Sequence, residues 1–151
     1  MPLTEKKMED THKLFLEHNV FIVWRPKYNL GIRIIDEHHR GIVSIINSLH
    51  FGMQNNYVKD VLGPIIDMMH DYTHIHFKIE EDFLKKVDYP NAKKHHEFHT
   101  ELIIQLNKIS RNSIMGKDSY QVLEFLKKWW INHICHDDLL FRDYLFKINK
   151  K

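Results

Sequence analysis

Little in these 151 residues would interrupt a helix: the chain has five glycines and four prolines, too few for a turn-rich sheet, so long helices are the expected architecture. Cysteine occurs once, at Cys135, which excludes an internal disulfide and fits a reducing compartment. With no partner thiol it reads as a small buried side chain and not as a nucleophile. Neither sign of charge prevails, since 22 Lys and Arg face 20 Asp and Glu for a formal net charge of +2, and that balance gives no electrostatic case for nucleic acid or an anionic membrane. The N-terminal region has no continuous apolar run of signal-peptide or membrane-span length. The expectation is therefore a cytoplasmic protein with no membrane span, monomeric on the simplest reading. What is abundant is histidine. There are 13, dispersed and never more than two in a row, so they are not an appended tag.

A chain of this length is most simply one domain and buries about 70% of the surface its unfolded form exposes. Residues 1–20 read as an N-terminal arm, with a short helix near Met8 to His18, and residues 21–151 as the domain proper; Val20 to Trp24, followed by Pro26, reads as extended or irregular. Apolar residues then recur at three and four positions in four segments. His39, Ile42, Val43, Ile46, Leu49 and Met53 mark the first helix, with Asp36 as its N-cap. Leu62, Ile65, Ile66, Met69, Tyr72, His76, Glu80, Phe83 and Leu84 mark the second, in which Pro64 is tolerable only in the first turn. Ala92, His95, His99, Leu102, Leu106 and Ile109 mark the third, ending near Arg111 to Ser113. Val122, Leu126, Trp129, Trp130, His133, Asp137, Leu140, Phe141 and Tyr144 mark the fourth, which Asp118 and Gln121 introduce as a capping box. Four helices of about 20 residues, each near 30 Å, with short connections predict an all-α, antiparallel up-down-up-down four-helix bundle behind an N-terminal arm.

The histidines on these stripes carry the chemistry, because an ionisable side chain on a core-facing position is costly unless it is paired or bound to metal. His95 and His99 are four apart, one turn along one face, and can reach a single ion; His76 and Glu80 repeat that geometry. A neutral imidazole gives one nitrogen donor and a carboxylate can bridge two ions, so the set suits iron, manganese or zinc. Each group has a plainer reading, as a solvated surface pair or, for His133 beside Trp129 and Trp130, as a core histidine satisfied by a hydroxyl. His39 aligns with Ile42, Val43 and Ile46, which leaves His38 on the flank. Periodicity favours Asp137 as the partner of His133, since Asp138 is rotated by about 140° on an ideal helix. His70 and His74, also four apart, lie on a flank and read as solvated or structural, and His12, His18, His50 and His136 read likewise. His96-Glu97-Phe98-His99 is one residue short of the zinc-protease signature. The Glu-x-x-His of carboxylate-bridged ferritin-like sites occurs only at Glu9 to His12, in the arm.

Asp36-Glu37-His38-His39, His76-Phe77-Lys78-Ile79-Glu80-Glu81, Tyr89-Pro90 followed by His95 and His99, and Trp130-Ile131-Asn132-His133-Ile134 followed by Asp138 together resemble the single-domain bacterial members of the hemerythrin family. With Trp24 and Gly31, the resemblance covers nearly everything after residue 20. It implies a non-haem diiron centre in which His95, His99 and His133 hold one iron, His39 and His76 the other, and Glu80 and Asp138 bridge the two with an oxo or hydroxo group. It thus takes Asp138 over Asp137, which a local distortion of the helix would allow. It further implies a non-enzymatic function, reversible O2 binding at one open iron position as a diferric hydroperoxide, for carriage, storage or delivery to an oxygen-using enzyme. Trp130 is the candidate wall of the pocket, with Ile42, Val43 and Phe77 as neighbours. The alternatives are an oxygen or redox sensor, a diiron enzyme acting on peroxide or nitric oxide, and a zinc-filled structural bundle.

Overall fold

The computed structural model describes residues 21–116 and 119–149, with the side chains of all of these except 110–116. The proposed arm, its short helix, Val20 and the Asp118 end of the capping box lie outside the described residues. Three long helices come first: α1 (Arg33–Gln54), α2 (Val58–Lys86) and α3 (Ala92–Gly116). The fourth rod has three parts, α4 (Ser119–Trp129), a π-helical stretch (Trp130–Asp137) and α5 (Asp138–Ile148). Each helix packs on the next and α4 packs back on α1, which closes the ring. Connections of a few residues leave consecutive helices little choice but to run antiparallel. Two of these turns use left-handed backbone at residues that tolerate it, Asn56 at φ 63° and Asp88 at φ 51°. No helix among the described residues is long and apolar enough to cross a membrane.

Two local expectations are corrected. Asp36 is not the N-cap of α1, which begins three residues earlier at Arg33 behind Ile32. Its carboxylate instead accepts the N–H groups of Leu30 (2.6 Å) and Gly31 (3.1 Å), tying the preceding loop to the positive end of the helix. Gly31, at φ 88°, supplies the turn that makes this reach possible. Pro64 lies in the second turn of α2 and not the first, because the helix already starts at Val58. Its missing N–H removes one backbone bond early in the helix, and 22 residues of α2 follow it.

The segment leading into the bundle is clamped through Asn47, whose side chain accepts the N–H groups of Phe21 and Ile22 and donates to the Ile22 carbonyl. Across the α1–α2 seam, a Cβ at Gly41 would run into the Tyr72 hydroxyl, so the missing side chain permits the close approach. The apolar interior forms two clusters. The larger includes Ile42, Ile46, Leu49, Met69, Phe77, Leu126, Trp129 and Ile134; the smaller joins Leu30, Ile35, Leu84, Tyr89 and Phe141. In α1, His39 falls between Ile35 of one cluster and Ile42 of the other. In α2, His76 and Glu80 fall between Met69 and Leu84. A polar layer therefore sits between two dry ones.

Candidate metal centre

The buried polar or charged side chains among the described residues are Asp36, Thr73, His39, His76, Glu80, His95, His99, His133 and Asp138. The first two are satisfied within the protein, Asp36 by backbone N–H groups and Thr73 by donating to the Met69 carbonyl at 2.7 Å. The other seven gather in the polar layer. His39 comes from α1, His76 and Glu80 from α2, His95 and His99 from α3, and His133 and Asp138 from the fourth rod.

Their donor atoms form two overlapping groups, each gathered within 4.8 Å: Glu80 with His95, His99 and His133, and His39 with His76, Glu80 and Asp138. Both carboxylates span the groups. Glu80 places Oε1 at 2.6 Å from His95 Nε2 and Oε2 at 3.0 Å from His76 Nε2. Asp138 places Oδ2 at 3.1 Å from His39 Nε2 and Oδ1 at 3.2 and 3.5 Å from the Nε2 atoms of His95 and His133. His99 and His133 bring their Nε2 atoms to 3.0 Å from each other.

Close as they are, several of these atoms form no aligned hydrogen bond. His39 Nε2, His76 Nε2, Glu80 Oε2 and both Asp138 oxygens are buried without a partner. Nitrogen and oxygen lone pairs that converge without hydrogen bonds between them are expensive in a dry core, unless a cation satisfies them together. Five imidazoles and two carboxylates are a donor set for divalent ions of the iron, manganese and zinc type. The residues fit a pair of such ions.

Asp138 reaches the layer because the fourth rod is π-helical there. Its N–H donates to the His133 carbonyl, a bond across five residues that widens the turn and brings Asp138 round beneath His133. On regular α-winding that place would fall to Asp137, as periodicity suggests. Asp137 instead stands at the edge, partly exposed, with Oδ2 at 3.5 Å from His133 Nδ1.

Without metal the site would be held by its own charges and the protons they retain. Burial opposes charge on His95, but the carboxylates of Asp138 and Glu80 at its Nε2 prevail and raise it from 6.5 to about 10. Burial opposes charge on His133 too, but the Asp138 carboxylate prevails and raises it above 6.5. Burial lowers His99 to about 4, despite Glu81 beside it. Burial also works against the Glu80 carboxylate, yet His76 and His95 hold it well below its usual range. Three pH effects on the metal-free fold follow. The His95 contribution is complete below 6.5 and is lost as pH rises towards 10; the neutral His99 ring is favourable above 6.5 and loses ground as pH falls towards 4, because the unfolded chain takes up a proton that the buried ring refuses; and Glu80 loses its advantage below 4.5. Stability of the metal-free protein in urea is expected to peak near pH 6.5 and fall on both sides. A flat profile between pH 5 and 9 would refute this charge arrangement.

The family model described as the Hemerythrin HHE cation binding domain matches residues 30–144. The chain belongs to the hemerythrin family. It is 32% identical over 123 residues to a bacteriohemerythrin of Stenotrophomonas maltophilia, covering 81% of this chain and 80% of that one. A bacteriohemerythrin of Clostridium acetobutylicum is 29% identical over 129 residues, 82% of this chain and 98% of its own. A hemerythrin-like protein of Naegleria gruberi is 24% identical over 123 residues, 81% and 92% of the two chains.

Within this hemerythrin-family site, the aromatic contacts of the histidines come from Phe77 and Trp129. Phe77 stacks on His99 at 3.8 Å between centroids and 5° between planes, and meets His76 and His133 edge-on or tilted. Trp129 lies parallel to His133 at 6.5 Å. Trp130, the candidate wall, is buried, but its ring contacts are with Trp24 and Tyr28. Sequence reasoning missed the residues behind the candidate ligands. Glu81 accepts from His99 Nδ1 at 2.7 Å, and His38 places Nδ1 at 3.2 Å from His76 Nδ1. The available signal was adjacency: Glu81, Asp137 and His38 each neighbour a candidate ligand, and a flank residue there can turn towards the outer nitrogen of a ligand from the next helix or turn. His70 and His74 join neither group of converging donors.

Proposed function

We propose that this chain is a non-catalytic dioxygen carrier, store or deliverer built on two iron ions. His95, His99 and His133 would hold one ion, His39 and His76 the other, and Glu80 and Asp138 would bridge them together with an oxo or hydroxo group. The observation that carries the reading is the unequal division of histidines about Glu80, which belongs to both groups, and Asp138, which reaches from the two-histidine group to His95 and His133. Counting the bridges, one ion would have six donors and the other five, and an incomplete set admits a small ligand where a complete one is structural. When bound, the iron pair supplies two electrons and that open position, the two things reversible O2 uptake requires.

The chain supplies the conditions for reversal. Two carboxylates and a bridging oxygen would offset much of the charge of two ferrous ions, which would make the pair tolerable between apolar layers. Phe77 and Trp129 are buried against His99 and His133 and shield that face of the group from water. The Glu81 carboxylate keeps a proton on His99 Nδ1, leaving Nε2 free as a donor. The names of the bacterial relatives support the same reading. The setting proposed is the cytoplasm, with the protein as a monomer that hands O2 to an oxygen-using enzyme.

The test is to reduce the purified protein anaerobically and follow its optical spectrum as O2 is admitted and removed, with metal assayed on the same sample. A charge-transfer spectrum that appears with one O2 per two irons and disappears under vacuum is expected. Irreversible oxidation or catalytic consumption would move the function to sensing or to enzyme chemistry, and absence of iron would overturn it. In the same assay His76→Ala should lose the iron of the two-histidine position preferentially. A variant with two irons and normal uptake would refute the division of ligands.

A further inference from the structure

The environment behind the two histidine groups is as unequal as the groups themselves. On α3, the exposed His96 places Nδ1 at 2.8 Å from Glu81 Oε2, while Glu81 Oε1 lies at 2.7 Å from Nδ1 of the buried His99. On the fourth rod the order repeats: exposed His136 places Nδ1 at 3.1 Å from Asp137 Oδ1, and Asp137 Oδ2 lies at 3.5 Å from Nδ1 of the buried His133. In both places a surface histidine holds a carboxylate beside a histidine of the three-histidine group, but only Glu81 closes the hydrogen bond, since His133 Nδ1, 3.5 Å from Asp137, is buried without a hydrogen-bond partner. The two-histidine group has no such support. His76 Nδ1 faces the ring of His38, and His39 Nδ1 is buried without a partner.

A carboxylate only accepts hydrogen bonds, so the short Glu81 contacts require N–H on both rings. His99 is thereby fixed as the tautomer whose Nε2 lone pair points into the site, and the anion behind it makes that nitrogen a stronger donor. We propose that Glu81 is a positioning residue that makes the three-histidine position the tighter of the two metal positions and favours the higher oxidation state there. The inference rests on the two-metal reading above. His96 keeps Glu81 in place by occupying its second oxygen, which would otherwise draw the side chain outwards to solvent.

Release of Co(II) to an excess of chelator tests this apart from oxygen chemistry. Wild-type protein should bind two ions and release them in two phases, with His76→Ala lacking the faster. Glu81→Ala should speed the slower phase about 10- to 100-fold and leave the faster one unchanged, whereas a general loosening of the bundle would speed both. Glu81→Gln, which keeps one acceptor oxygen and removes the charge, should fall between these extremes and raise the reduction potential of the iron-loaded protein. If Glu81→Ala fails to fold, the Gln variant carries the test alone. Two ions in wild type with an unaltered slower phase and potential in the variants would overturn the proposal alone. Fewer than two ions in wild type would overturn the site reading and the proposal with it.

Discussion

Replacing Glu80 by alanine is expected to reduce the metal content from two ions per chain to one or none and to abolish reversible O2 uptake. No other side chain in the layer makes contacts as short to both histidine groups, at 2.6 Å to His95 and 3.0 Å to His76. Its loss removes a donor from each proposed ion and a negative charge from a fully buried site. Truncating one partner of a buried charged pair costs about 3–5 kcal/mol, a large share of the stability of a domain this size. Glu80→Gln keeps the volume and one acceptor oxygen, so it separates loss of the bridge from collapse of the core. Metal analysis and urea unfolding of both variants would decide the matter. Two ions retained by either variant, with reversible uptake, would mean that Glu80 does not bridge.

Phe77→Ala is expected to destabilise the protein by about 3–5 kcal/mol, the range for deleting a buried phenyl ring, and to shorten the life of the oxygenated form. The ring is buried and lies flat on His99. Beside it is a cavity of about 10 Å³ lined by apolar side chains such as Met69, Leu106 and Trp129, at the lower limit of what one water needs. Removing the ring would enlarge this space to hold water against His99. Trp130→Ala makes the contrast, because that ring packs on Trp24 and Tyr28; it should cost stability but accelerate decay less. Equal decay rates for wild type and Phe77→Ala would remove Phe77 from the role of water barrier.

Much of this architecture is legible in the sequence because two signals coincide. Apolar side chains at three- and four-residue spacing define four helices, and histidines on those same stripes have no cheap way of being buried. The gathering of His39, His76, His95 and His99 follows from those facts. Three features do not. Asp138 replaces Asp137 because the backbone is wound differently, and a period measured on an ideal helix cannot register that. Glu81 and His38 lie off the stripes, where solvation is the default, and their role depends on which residue of another helix they meet. Trp130 carries the bulk and hydrophobicity expected of a pocket wall, yet direction is set by the packing of Trp24 and Tyr28, outside its own helix.

The π-helical stretch also sets the phase of everything after it. A stripe counted straight through the fourth rod puts Leu140 inside, but Leu140 is half exposed, while Phe141 is fully buried and Leu139 and Leu145 pack on the smaller cluster. The rod behaves like a thread with one surplus step, taken up between His133 and Asp138. All of α5 is advanced by that step, so the lower core and the carboxylate are kept in phase by the same local irregularity. A chain one residue shorter at this point, wound as ordinary α-helix, would present the same aspartate and the same phenylalanine inwards. For this fold, spacing along the last helix is therefore a matter of phase and not of a fixed count.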